Sequence, residues 1–149
     1  MSDIRWVDYG SAEMEQCYSI RWDVFVHEQA VPEELEIDDA DKTAKHALIF
    51  ADGAPAGTAR LLLNTPNLNE AKIGRVATLA AFRGRGLASA LMLFLEAEAV
   101  RRGMTKITLD AQVSVIPLYE QLGYVAYGPV FDDAGIDHRK MSKSLTLPG

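Results

Sequence analysis

The spacing of apolar and polar positions changes several times along the chain, and each change marks an element. Ile4 to Tyr9 alternates and predicts a first strand, closed by Gly10. After Ser11, a residue suited to capping, apolar side chains recur at helical spacing as Met14, Cys17, Tyr18, Val24 and Phe25, which predicts one helix to about His27. Arg21 falls on that stripe as an odd cation. Periodicity is lost over residues 28–45 (EQAVPEELEIDDADKTAK), an acidic loop that holds a short helix. Strands follow at His46 to Ala51 and Gly57 to Leu63, joined by an Asp52-Gly53 hairpin turn, and at Lys72 to Leu79 after the polar turn Asn64 to Asn69. Leu87, Ala90, Leu91, Phe94, Leu95 and Ala97 give a helix from Leu87 to Arg102, stopped by Gly103. Lys106 to Ala111 reads as a strand and Ile116 to Leu122 as a short helix ended by Gly123. Tyr124 to Tyr127 and Ile136 to Ser144 read as the last two strands. The order β-α-β-β-β-α-β-α-β-β predicts an α/β fold over residues 1–149, one domain with a mixed central sheet flanked by helices.

Composition narrows the function classes. The 149 residues suffice for one compact core, and 48% hydrophobic with 24% charged residues is an ordinary globular balance. A net charge of −6 argues against a nucleic-acid surface, which needs clustered Lys and Arg. No apolar run approaches the ~20 residues of a spanning helix. Residues Met1 to Gly10 lack the basic start and apolar core of a signal peptide, so a soluble, cytoplasmic domain is expected. Cys17, the one cysteine, excludes an internal disulfide and reads as a small buried hydrophobe.

Candidate chemistry concentrates in Arg83-Gly84-Arg85-Gly86, which leads from a strand directly into the helix at Leu87. Backbone N–H groups converge at such a junction, the helix dipole adds positive potential, and glycine permits close approach of a phosphate. The two arginines supply side-chain charge. The Walker pattern is absent, and GxGxxG fails because position 89 is Ser. Several other signals fail as well. No HExxH or paired-cysteine spacing suggests a metal, and Asp39-Ala40-Asp41 begins like a calcium loop but has Ala44 and Phe50 where glycine and glutamate are needed. No GxSxG elbow is present. Lys140-Met141-Ser142-Lys143-Ser144 spells a synthetase-like KMSKS, yet no HIGH partner accompanies it and the chain is short for such a domain. It reads instead as a half-exposed edge strand.

Arg83-Gly84-Arg85-Gly86-Leu87-Ala88 resembles the [QR]-x-x-G-x-[GA] signature of the GNAT N-acetyltransferases. Further stretches, Arg21 to Gln29, Asp110-Ala111-Gln112, Leu118-Tyr119 and Gly135 to His138, resemble the ElaA/YjcF-like bacterial group, so the likeness covers roughly residues 18 to 145. It implies acetyl-CoA (coenzyme A) as donor, with its pyrophosphate held by Arg83, Gly84, Arg85, Gly86, Leu87, Ala88 and Ser89. It also implies that the strand before the loop, with Val76, Ala77 and Thr78, presents backbone to the pantetheine arm and polarises the thioester. Tyr119, in a segment like the family's LYxxxGF, is implied as general acid. His138 is the candidate general base, in Asp137-His138-Arg139-Lys140-Met141, where some relatives have PHxxM; Glu28, Glu36 and His46 are fallbacks. Arg21 either reaches the surface or enters the acceptor cleft, and Glu28 and Gln112 join it as expected substrate contacts. The acidic run Glu33 to Asp41 reads as a solvated loop, or as an attractor for a cationic amine.

The expected function is acetyl transfer from acetyl-CoA to a primary amine of a small molecule. Two alternatives stay open: a non-catalytic acyl-CoA-binding or sensor domain, and a protein or peptide N-acetyltransferase. No nucleic-acid or membrane partner is expected, and exposed final strands could pair two copies as a homodimer.

Overall fold

The computed structural model describes residues 3–146. Seven strands form one sheet: β1 (Asp3–Val7), β2 (Lys45–Ala51), β3 (Ala54–Leu62), β4 (Glu70–Thr78), β5 (Lys106–Gln112), β6 (Val125–Asp133) and β7 (Ile136–Ser144). Their spatial order is β1-β2-β3-β4-β5-β7-β6, and every pairing is antiparallel except β4 with β5. Helices α1 (Ala12–Arg21), α2 (Glu33–Glu36), α3 (Leu87–Arg101) and α4 (Ile116–Gln121) complete the mixed α/β fold expected from the pattern.

Both faces of the sheet are covered, which explains why β2 is buried almost without interruption. On one face Ala47, Ile49, Leu61 and Ile73 meet Leu91, Met92 and Leu95 of α3. On the other, Leu48, Val7 and Ala77 meet Met14, Cys17 and Ile20 of α1. Gly57 allows the close approach of α3. A Cβ there would lie 3.0 Å from Ile49 and from the Ala77 carbonyl, and 3.3 Å from Leu91.

Three expectations change. The first helix is α-helical only to Arg21 and continues as a π-helical run, Trp22–Glu28, whose wider turn delivers Phe25 to the cavity described below. β6 does not stop at Tyr127. Gly128-Pro129 resembles a turn in sequence, but the strand absorbs it in a register shift between Tyr127 and Phe131 and runs to Asp133. The KMSKS letters do lie on the last strand, but β7 pairs with β5 on one side and β6 on the other, so the edge is β6.

The feature that positions the site is the short contact between β4 and β5. They pair only from Glu70–Lys106 to Lys72–Thr108 and then part. Beyond Lys72, β4 has strand β3 on one side and, among the described residues, no strand on the other. Within this stretch β4 has an extra residue: Thr58 opposes Ala77 but Arg60 opposes Gly74, and Arg75 takes the left-handed φ of 52°. A bulge with a non-glycine residue at such an angle is strained, and its side chain is redirected into the opening.

The last turn of α3 carries a charge cluster. Glu98, only 6% exposed at its side chain, accepts from Arg101 at 2.8 Å, Arg102 at 3.0 Å and Lys45 at 2.5 Å. The Arg101 bonds, with help from Lys45 and Arg102, outweigh burial and hold its pKa down to about 2. A depressed carboxylate pKa stabilises the fold fully above the unfolded value, near 4.5, and that contribution is lost as pH falls toward about 2. Urea midpoints measured between pH 4.5 and 2 should therefore fall less steeply for Glu98→Gln than for the parent chain.

Candidate active site

A cavity of about 350 Å³ occupies the gap where β4 and β5 separate. Its walls come from β4 (Lys72 to Val76), β5 (Leu109, Asp110, Gln112), β7 (Ile136, His138), α4 (Tyr119) and the segment after the first helix (Phe25, Gln29, Leu35). Tyr119 and His138, far apart in sequence, thus share one chamber. Val76 and Gln112 line it too.

Tyr119 is 8% exposed, and burial alone pushes its pKa up to about 12. Its hydroxyl makes no hydrogen bond among the described residues, while its ring meets Tyr124 edge-on at 6.1 Å. His138 sits opposite Gln112 in the β5–β7 register. Its ring stacks on Phe131 with centroids 5.8 Å apart, and Nδ1 lies 2.7 Å from the Ile136 carbonyl. A carbonyl only accepts, so Nδ1 carries the proton and Nε2 of the neutral ring keeps its lone pair. This geometry owes nothing to Asp137, whose register partner is Asp132.

The glycine loop lies at the other end of β4. Gly84 and Gly86 have φ of 80° and 76°, and no atom lies within 4 Å of where a Cβ would stand on either, so the loop is open above its backbone. Gly86 is the N-cap of α3, and no side chain among the described residues caps that terminus. Leu87 is buried and anchors the helix start in the core, with Ala88 and Ser89 beside it in the first turn. Arg83 donates to the Thr78 carbonyl at 3.0 Å and to both Glu28 oxygens at 2.7 and 2.9 Å. Arg85 is held by Asp52 at 2.8 and 3.0 Å. Ala77 is buried in the core against α1. These features suit a pyrophosphate: an uncapped helix start, open glycine backbone and two guanidiniums.

Several expected contacts lie elsewhere. Arg21 does not line the cavity. It is 1% exposed and fully engaged, donating to Glu36 Oε1 at 2.7 Å, the Glu36 carbonyl at 2.8 Å and Asp41 at 2.9 and 3.2 Å. Glu28 is outside the cavity as well, committed to Arg83. His46 is buried on β2 opposite Arg60, outside the cavity lining, with Nε2 2.9 Å from the Asp41 carbonyl, and burial lowers its pKa. Nor is the acidic run a solvated loop. Glu36 and Asp41 are buried, because Arg21, Arg60 and Arg75 converge on it from α1, β3 and β4. Burial pulls Asp41 upward, but Arg21 and Arg60 outweigh it and keep the carboxyl below the ordinary aspartate value; at Glu36 burial wins and the pKa is raised.

Two further side chains have no role assigned from the sequence, where Arg75 serves only as backbone of the strand before the loop. Arg75 reaches the cavity through the bulge, which residue types alone do not announce. Gln29 meets Gln112 in a reciprocal amide pair, 2.8 Å one way and 3.5 Å the other, joining the helical run to β5 across the gap.

The Acetyltransferase (GNAT) domain family matches residues 8–145. The chain belongs to the GNAT acetyltransferases. It is 32% identical over 132 residues to the uncharacterized N-acetyltransferase YjcF of Bacillus subtilis, covering 88% of this chain and 92% of that one. An acyl-CoA N-acyltransferase from Pseudomonas aeruginosa superposes with TM-score 0.84 at 29% identity, covering 96% and 99% of the two chains. Escherichia coli ElaA does so with TM-score 0.84 at 25% identity and the same coverage. The ElaA/YjcF-like resemblance read from the motifs is thereby borne out. Among the described residues, no helix of this GNAT chain is long and apolar enough to cross a membrane.

Removing Arg21 takes from buried Glu36 its 2.7 Å partner, leaving it only Arg75 at 3.5 Å, and leaves buried Asp41 to Arg60 alone, a loss of about 3–5 kcal/mol. Arg21→Met should lower the unfolding free energy in urea by that amount. A fully stable Arg21→Met chain with only weakened acceptor binding would return Arg21 to the acceptor site.

Proposed function

We propose that the chain transfers the acetyl group of acetyl-CoA to a primary amine of a small-molecule acceptor. The observation that carries this reading is the shared chamber of Tyr119 and His138 at the gap beside β4. The donor's phosphates fit the loop Arg83 to Ser89. Its pantetheine arm fits along β4, whose backbone from Val76 to Thr78 has no strand partner on the β5 side, as an added strand would. This puts the thioester at the chamber, where a backbone N–H near Val76 polarises its carbonyl.

The amine attacks the thioester carbon, forming the C–N bond as the C–S bond breaks. The amine's proton passes to His138 Nε2, directly or through water, and Tyr119 gives its proton to the departing thiolate. Burial keeps the phenol protonated throughout the neutral range, with its pKa pushed up to about 12. A free thiolate is the weaker base of the two, so the proton moves only in concert with C–S cleavage, drawn by the charge that builds on sulfur and carried by the favourable formation of the amide. Gln112, beside His138 in the strand register, is placed to contact the acceptor. The acceptor's other contacts fall to Arg75 and Asp38, which line the same chamber.

Thiol release from acetyl-CoA with a panel of small amines and short peptides tests the reading. His138→Ala and Tyr119→Phe should each lower kcat by about 10²–10⁴ with little change in KM for acetyl-CoA. No alkaline limb from Tyr119 should appear in the pH–rate profile below about pH 12. CoA binding without Tyr119-dependent turnover on any amine would favour a sensor domain. Activity on peptides alone would move the acceptor to protein.

A further inference from the structure

Glu28 and Gln29 are consecutive, yet they bind opposite ends of the site. Glu28 closes the π-helical run and takes both Nη atoms of Arg83 at 2.7 and 2.9 Å. Gln29 crosses to Gln112, beside His138. Directly after them Ala30 adopts a left-handed φ of 58°, and the Val31 N–H returns to the Phe25 carbonyl at 2.9 Å, so the chain turns back sharply at this point. The two tethers therefore share a single short stretch of backbone. One of the amide bonds is already 3.5 Å long, at the limit of a hydrogen bond, so this lock is weak.

A carboxylate on both ends of Arg83 occupies the donors that an incoming phosphate would use. Arg83 also holds Glu28 ionised, below the ordinary glutamate pKa. Phosphate and Glu28 then compete for one guanidinium and repel each other across it. We propose that Glu28 and Gln29 are positioning residues that couple filling of the phosphate loop to opening of the acceptor chamber: phosphate displaces Glu28 from Arg83, and the shift of this stretch parts Gln29 from Gln112. The amide of Gln112 is freed beside His138 only when the donor is in place, so donor binding precedes productive acceptor binding. By linkage, an acceptor that engages Gln112 tightens donor binding by the same factor. The inference rests on the assignment of the loop to the pyrophosphate of acetyl-CoA.

Asp52 provides an internal control. It covers Arg85 as Glu28 covers Arg83, but it belongs to the β2–β3 turn and has no link to Gln29. The experiment titrates the intact chain with CoA alone, following affinity by calorimetry and the side-chain amide signals of Gln29 and Gln112 by NMR. CoA should shift both sets of signals in the parent chain. Glu28→Gln should bind CoA about two- to fivefold more tightly, the worth of one exposed ion pair, and its two amide sets should stand near their CoA-bound positions before any ligand is added. Asp52→Asn should tighten CoA to a similar degree and leave both amide sets where they are in the free parent. CoA binding to the parent chain with both sets unmoved would overturn the coupling, as would unchanged affinity in Glu28→Gln. No CoA binding to the parent chain would instead sink the cofactor assignment, and the coupling with it.

Discussion

The site depends on three arginines that never leave the protein. Arg21, Arg60 and Arg75 come from α1, β3 and β4 and meet Glu36, Asp38 and Asp41 on one irregular stretch of chain. Three cations face three carboxylates, so the cluster needs no outside counter-ion. The planar guanidinium suits this task because it donates in several directions at once; Arg21 serves two carboxylates and a carbonyl simultaneously. Such a cluster adds little net stability compared with an apolar core, since desolvation offsets most of the attraction. What it gives is position. A stretch with few apolar residues is held against the sheet, and Leu35, Glu36 and Asp38 become a wall of the chamber.

That wall matters because the sheet itself is incomplete at the same place. β4 and β5 share only three register pairs, and past them β4 carries backbone groups without a strand partner on one side. Unpaired strand edges attract another extended chain, which is a liability in most proteins and a binding device in some. Here the opening is covered at one end by the pinned acidic stretch and spanned by the Gln29–Gln112 pair, so it forms a chamber and not a free edge. The bulge at Arg75 contributes by turning a cation into that space at a φ few arginines adopt.

Sequence patterning reached the elements whose neighbours are local. The period of α3, the Asp52-Gly53 turn and the strand–glycine–helix junction each depend on residues within a few positions, and all three stand where expected. The failures share the opposite property. Arg21 was visible as an intruder on an apolar stripe, but its partners lie 15 and 20 residues away in a segment without periodicity. A buried carboxylate in that segment looks the same in sequence as a solvated one. Gln29 and Gln112 are 83 residues apart, and nothing local marks either as half of a pair. The pattern ends β6 at Tyr127, while tertiary pairing with β7 carries the strand on through Gly128-Pro129 to Asp133. For the chamber, the motif resemblance placed Tyr119, His138 and Gln112 together, while the orientation of the histidine needed coordinates.

Under the proposed roles, acid and base are kept distinct by environment more than by residue type. Tyr119 packs in the apolar core and has no hydrogen-bond partner among the described residues, so its neutral form is favoured and it stays protonated. His138 is secured differently: the carbonyl two residues earlier on its own strand fixes one nitrogen as donor, which leaves the other to accept. Because that contact is local to β7, the tautomer survives movement of the opposite wall. The β4 side can therefore respond to the donor, through Glu28 and Gln29, without disturbing the group that receives the proton. A base held by the mobile wall would lose its orientation at the moment the chamber opened. Placing it on the interior strand of the other half of the sheet, paired on both sides, avoids that conflict.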